Sequence, residues 1–213
     1  MIVHPAIEEY LTHLSSPIHS VLKEMEERAE QINFPIMGPL VGRLLYFLVE
    51  YGHVHRILEC GSGFGYSALW MALALPENGN ITCIESNSQN IELAKHYFEK
   101  AGQLHKLTIM EGDALEILTT LQGTYDMVVN DIHKAQYPDS LPLILPRLRV
   151  GGILVTDNLL WKGDVAADTP TDPKTPFIQQ YNKQLFSLPE LFSTIVPIRD
   201  GVGISIKLKP PAG

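Results

Sequence analysis

Three oxygen-bearing side chains and a lysine are spaced so that they could act together. Asp131 closes the apolar run YDMVVND (125–131), Lys134 follows three residues later, and Asp157-Asn158 ends the next apolar run, GILVTD (152–157). If those runs are neighbouring strands, two carboxylates and an amide carbonyl converge on one side of a crevice. Such a set is hard and leaves positions for water and substrate oxygens, which suits magnesium first, with manganese or calcium as alternatives. The plainer reading is that Asp157-Asn158 caps a loop and Asp131 caps a helix; spacing alone does not choose. A cation there would have a purpose. A phenol-like hydroxyl with a pKa of about 10 is mostly protonated at neutral pH. Chelation of two adjacent substrate oxygens would favour its ionised form. Lys134 could take the proton if partial burial and a nearby cation lowered its own pKa, although alone it reads as a surface helix lysine. Trp161 divides between core packing and a wall of the same pocket.

A second cluster lies upstream. In LECGSGFGYS (58–67), Gly61, Gly63 and Gly65 follow an apolar run and precede a helical one. Glycine at such a turn permits positive φ and lets a ligand approach the backbone. The pattern is E-x-G-x-G-x-G, not the G-x-G-x-x-G of a dinucleotide site, and the Gly-Lys-Ser/Thr ending of a phosphate loop is absent. Glu85 closes the next apolar run, where an acid can accept from both ribose hydroxyls of an adenosine ligand. Asp113, in EGDALEIL, closes a third run and could reach an adenine amino group. The pattern therefore suggests a nucleoside ligand with no phosphate-specific feature, which S-adenosylmethionine satisfies.

The elements that must carry these residues alternate. Strand-like runs at 56–60, 81–85, 107–110, 125–131 and 152–157 are separated by helical spacing at 66–75, 87–101, 114–121 and 138–149. That alternation predicts a parallel sheet covered on both faces. Two helices, 18–31 and 38–51, are expected before it, so that about 1–52 form a helical cover and 53–208 a core within one domain. A loop is expected over 162–176, then a helix near 176–187 and final strands at 191–197 and 202–208; residues 209–213 should fray. Glu59, Glu85, Asp113, Asp131 and Asp157 all fall at strand carboxyl ends, where ligands bind in open α/β sheets.

Composition bounds the reading. With 213 residues, 45% hydrophobic and 19% charged, the chain is neither disordered nor fibrous. No apolar run approaches membrane-spanning length and the N-terminus has no secretory pattern, so a cytoplasmic protein with no membrane partner is expected. Cys60 and Cys83 read as buried reduced thiols. A net charge of −8 argues against coating nucleic acid by charge alone.

With these motifs in place, the sequence resembles the class I S-adenosylmethionine-dependent methyltransferases, and more narrowly the metal-dependent O-methyltransferases related to catechol and caffeoyl-CoA O-methyltransferases. The glycine turn is shared by many methyltransferases; DIHKAQY (131–137) and DNLLWKGDVA (157–166) are more specific. The resemblance implies a Rossmann-like seven-stranded sheet of order 3-2-1-4-5-7-6 with the seventh strand antiparallel. It implies that Glu59, Gly61, Ser62, Gly63, Tyr66 and Ser67 line the methionine end of S-adenosylmethionine, that Glu85 with Ser86 holds the ribose, and that Asp113 with Ala114 holds the adenine. Met37 and Gly38 would cover the cofactor. Asp131, also beside the cofactor, would bind a divalent cation with Asp157 and Asn158, Lys134 would stand at the acceptor hydroxyl, and Trp161 would wall the acceptor pocket. Many relatives are homodimers.

The pattern is not followed throughout. His133 stands where plant-type relatives carry a second acid, Asn130 where relatives have an apolar residue, and Gly203 where catechol enzymes have an acid. The expected activity is methyl transfer to a small hydroxylated aromatic. A tRNA 5-hydroxyuridine acceptor is the alternative, because some bacterial relatives that modify this base share a PIM and DNxLxKGxVA arrangement. A non-catalytic adenosyl-ligand binding protein or nucleotide-dependent oxidoreductase is the third reading, and it leaves the Asp131, Lys134, Asp157 and Asn158 set unexplained.

Overall fold

The computed structural model describes residues 2–209. Side-chain alternation sets the architecture. In β1 (Arg56–Cys60), Ile57 enters one buried cluster while Leu58 and Cys60 enter another; β4 (Tyr125–Asn130) separates Met127 and Val129 from Val128 in the same way, and β5 (Leu148–Thr156) separates Val155 from Leu154. Successive strand residues point to opposite faces, so strands that are apolar at nearly every position must be covered twice. With β2 (Asn80–Glu85), β3 (Leu107–Glu111), β6 (Leu191–Val196) and β7 (Val202–Lys207) they form one seven-stranded sheet, ordered β3-β2-β1-β4-β5-β7-β6. The first five strands pair in parallel, and β7 runs antiparallel to β5 and β6. This is the Rossmann-like order the resemblance implied.

The connecting helices are α4 (Tyr66–Ala74), α5 (Ser88–Lys100), α6 (Ala114–Thr120), α7 (Tyr137–Ile144) and α8 (Thr175–Ser187); α1 (Pro5–Leu14), α2 (Ser20–Gln31) and α3 (Gly38–Tyr51) precede the sheet. Leu22 and Met25 of α2 and Val41 and Leu45 of α3 join the cluster that holds Trp70, Met127 and Val155, so both helices cover one sheet face. Helix α1 was not among the expected elements. Its His4 cap, Pro5 start and apolar residues at 7, 10, 11 and 14 fit a helix, yet it buries none of its residues.

Two other boundaries differ from expectation. The helix expected over 138–149 stops at Ile144, a 3-10 turn covers Leu145–Arg147, and β5 begins at Leu148. Pro146 cannot donate to a helical ladder, and the backbone turns extended at Leu148. The early part of β5 bulges from its partner, because Tyr125 pairs with Leu148 while Met127 pairs with Ile153. The loop expected over 162–176 overlaps 3-10 structure over Trp161–Ala166, kinked at Lys162 and Gly163. Both cysteines are free and buried, and among the described residues no helix is long and apolar enough to cross a membrane.

Candidate active site

The strand order reverses between β1 and β4, and in an open α/β sheet the crevice beyond that point binds ligands. A cavity of about 990 Å³ opens there, within the usual range for small-molecule sites. Its floor depends on Gly61. With φ of +81°, a Cβ at this position would stand 2.5 Å from the Asp131 carbonyl oxygen. The ends of β1 and β4 thus approach so closely that only glycine fits. The Asp131 amide in turn donates to the Cys60 carbonyl at 2.9 Å.

Gly61, Ser62, Gly63, Tyr66 and Ser67 all line the cavity, as do Glu85, Ser86, Asp113, Ala114 and Met37. The Glu85 carboxylate accepts from the amides of Gly63 and Asn87, each at 2.8 Å, which locks β2 to the glycine turn. Asp113 caps α6 by accepting from Leu115 and Glu116, and its other oxygen takes the Gln136 amide at 2.9 Å. The Tyr66 hydroxyl donates to Glu26 on α2 at 2.5 Å. Glu59 and Gly38 stand differently from expectation. Glu59 has no solvent exposure and lies beneath the cavity, where Ser67 donates to it at 2.6 Å and the Cys83 thiol lies 3.8 Å away. Gly38 is behind the wall, against the Arg199 guanidinium.

The second half of the cavity gathers Asp131, Lys134, Asp157, Asn158 and Trp161. Lys134 Nζ donates to Asp131 Oδ1 at 2.5 Å and to the Tyr137 hydroxyl at 2.7 Å, and that hydroxyl donates to the Asp157 carbonyl at 2.9 Å. Asp157 is only 6% exposed. Burial, and then the Asp131 charge, push its carboxyl well above the usual carboxylate range. The Asn158 amide nitrogen faces Asp200 at 3.4 Å, which leaves its carbonyl oxygen as the free donor atom. Among the described residues no three His, Cys, Asp or Glu side chains form a metal cage; the donor set is two carboxylates and an amide. One buried and one half-buried acid beside a single ammonium fit a hard cation with an incomplete protein shell.

Several residues in or behind the cavity wall were not singled out from the sequence. Tyr137, fully buried, orders Lys134; its signal was the three-residue spacing of Asp131, Lys134 and Tyr137. Arg199 and Asp200 line the cavity from the β6–β7 turn. Asn158, Trp161, Lys162 and Arg199 all have positive φ, a conformation uncommon in such residues and frequent where function fixes the backbone. Asp200 accepts the Lys162 amide, while the Leu159 and Leu160 amides reach the carbonyls of Gly201 and Asp200 at 2.9 Å. The odd Asn130 is absorbed by a buried polar layer, donating to Ser140 at 2.9 Å and to Tyr181 at 3.4 Å. A Cβ at Gly203 would stand 2.3 Å from Leu159 Cδ1, so an acid there would require that buried side chain to move. His133 lines the cavity near its mouth.

A nucleoside-sized crevice at the switch point of a β3-β2-β1-β4-β5-β7-β6 sheet defines an S-adenosylmethionine-dependent methyltransferase. The chain belongs to the O-methyltransferase family, whose model matches residues 12–208. It is 32% identical to caffeoyl-CoA O-methyltransferase 1 of Arabidopsis thaliana, with 86% of this chain and 76% of that protein covered. It is 31% identical to caffeoyl-CoA O-methyltransferase of Medicago sativa over 90% of this chain and 83% of that one. Among solved structures, the O-methyltransferase TomG of Streptomyces achromogenes, involved in tomaymycin synthesis and crystallised with S-adenosylmethionine, superposes with a TM-score of 0.87 at 26% identity, covering 96% of each chain.

Proposed function

We propose that the chain methylates a hydroxyl of a small catechol-like aromatic, using S-adenosylmethionine and a divalent cation, magnesium first among the candidates. The observation that carries this reading is the convergence of Asp131, Asp157 and Asn158 on one cavity, with Asp157 buried and Lys134 donating to Asp131. Asp131, Asp157 and Asn158 would hold the cation, which when bound supplies the charge that favours ionisation of a chelated hydroxyl. Glu85 with Ser86 orients the ribose, Asp113 with Ala114 orients the adenine, and Met37, Gly61, Ser62, Gly63, Tyr66 and Ser67 surround the methionyl end. Lys134, held by Tyr137 and Asp131, would stand at the acceptor hydroxyl and take up its proton at Nζ. Trp161 walls the acceptor. No covalent enzyme intermediate is needed, because positioning and charge stabilisation accomplish an in-line displacement.

The small-molecule acceptor is preferred to a tRNA base. The two plant relatives act, by their names, on a coenzyme A thioester, and a net charge of −8 offers no general attraction to a phosphate backbone. In this reading the enzyme is cytoplasmic and works as a homodimer through the exposed apolar residues of α1 and α3. Incubation with labelled S-adenosylmethionine and a panel of catechols tests it: transfer should require magnesium, vanish with EDTA and return when magnesium is restored. Transfer that persists in EDTA would overturn it.

A further inference from the structure

The methionyl end of S-adenosylmethionine carries a carboxylate, and a site for it needs a cation or free donors. The glycine turn has few donors to give. The amides of Gly61 and Ser62 are donated to the Ile84 carbonyl, that of Gly63 to Glu85 and that of Gly65 to the Ser62 carbonyl. Lys134 is engaged by Asp131 and Tyr137, and Lys162 belongs to the Asn158–Trp161 side of the cavity.

Arg199 is placed differently. It lines the cavity from the β6–β7 turn and uses one nitrogen, Nη1, to donate to the Met37 carbonyl at 2.8 Å and the Ile36 carbonyl at 3.2 Å. The Gly38 surface lets it lie there, since a Cβ at that position would stand 2.0 Å from Nη1. Among the described residues no carboxylate pairs with it. The Tyr66 phenol, pushed up chiefly by burial, is pulled back in part by the Arg199 charge, so the guanidinium acts on the first residue of α4, directly after the glycine turn. A guanidinium offers five donors in a planar fork that matches a carboxylate, and the Met37 and Ile36 carbonyls hold the fork in place through one of its three nitrogens.

We propose that Arg199 binds the α-carboxylate of the cofactor's methionyl group and at the same time clasps the 34–38 segment over it. This deepens the S-adenosylmethionine reading and rests on it. The test pairs a ligand truncation with a side-chain truncation, S-adenosylhomocysteine against its decarboxylated analogue on wild-type, R199M and R199K proteins, by titration calorimetry. Wild-type protein should prefer the carboxylated ligand by roughly 10- to 100-fold, and R199M should bind the two within about twofold of each other. R199K, which keeps a charge, should retain part of the preference. The proposal is overturned if R199M discriminates as wild type does, if wild type does not discriminate, or if R199M weakens both ligands equally, which would leave the arginine a clasp alone. Should R199M fail to fold, the same readings on wild type and R199K decide. A wild-type protein that binds neither ligand would sink the cofactor reading itself.

Discussion

Glu59 is a carboxyl group removed from water, with Ser67 and the Cys83 thiol as its near partners. Burial first, and the charges of Asp131 and Glu85 after it, push its pKa up to about 8, against the lowering effect of the Ser67 bond. An unfolded glutamate ionises near its ordinary value of 4.5, so between that pH and about 8 the folded chain holds a proton that the unfolded chain has released. Stability from this group is full below the lower value and falls as pH rises, by about 1.4 kcal/mol per unit for one proton. In urea titrations from pH 5 to 8, Glu59→Gln should flatten that decline. An unchanged slope would mean that Glu59 is already ionised in the native protein. Lys134 is the residue whose chemistry depends most on its neighbours. Lys134→Met should lower kcat by about 10²- to 10⁴-fold, the usual range for a lost proton acceptor. S-adenosylhomocysteine affinity, read by calorimetry, should stay near wild type.

At the scale of elements, legibility followed locality. The strands of the sheet and the glycine turn were readable because short continuous apolar runs and glycine clusters are local signals. The ends of β4 and β5, with Asp131 and Asp157 on them, were readable for the same reason. The start of β5 was not, since LPLILPRL is apolar at helical spacing until Pro146 interrupts it, and only strand pairing reveals where the sheet resumes. Asn158 and Trp161 were assigned to the site, but their left-handed backbone, with that of Lys162 and Arg199, was not readable, because these residues carry no glycine signature and the corner is tied together by contacts with Asp200 and Gly201. Glu59 was placed on the cofactor wall by resemblance, whereas its strand geometry turns it beneath the floor. The segment before α8 has its own organiser. Asp164 accepts from the Thr171 amide and hydroxyl, the Asp172 amide and the Thr175 hydroxyl. Asp164→Ala removes all four partners at once, so limited proteolysis should cut within 166–174 several times faster than in wild type, with the sheet core left intact by mass mapping.

For the molecule as a whole, the sheet buries both faces while the N-terminal helices keep apolar residues outside. Phe47 and Tyr51 of α3 are 60% and 76% exposed and stack at 5.7 Å between ring centroids. Ile7, Tyr10 and Leu14 on α1 are also exposed, and α1 touches α3. Clusters of this kind mark association surfaces, and a two-fold axis is the commonest way to cover one. The double variant Phe47→Glu with Tyr51→Glu should halve the mass measured by light scattering. A wild-type protein already monomeric at high concentration would rule the interface out.

The contact from Arg199 to the Met37 and Ile36 carbonyls joins positions 162 and 163 residues apart. A growing polypeptide that has reached Val196 already possesses its glycine turn and every acid of the crevice except Asp200, and it can pack Phe34 and Met37 on the core, yet it lacks the guanidinium that ties the 36–37 carbonyls to the far end of the sheet. That tie is therefore among the last contacts this protein can make during its synthesis, and so is any grip on the methyl donor that depends on it.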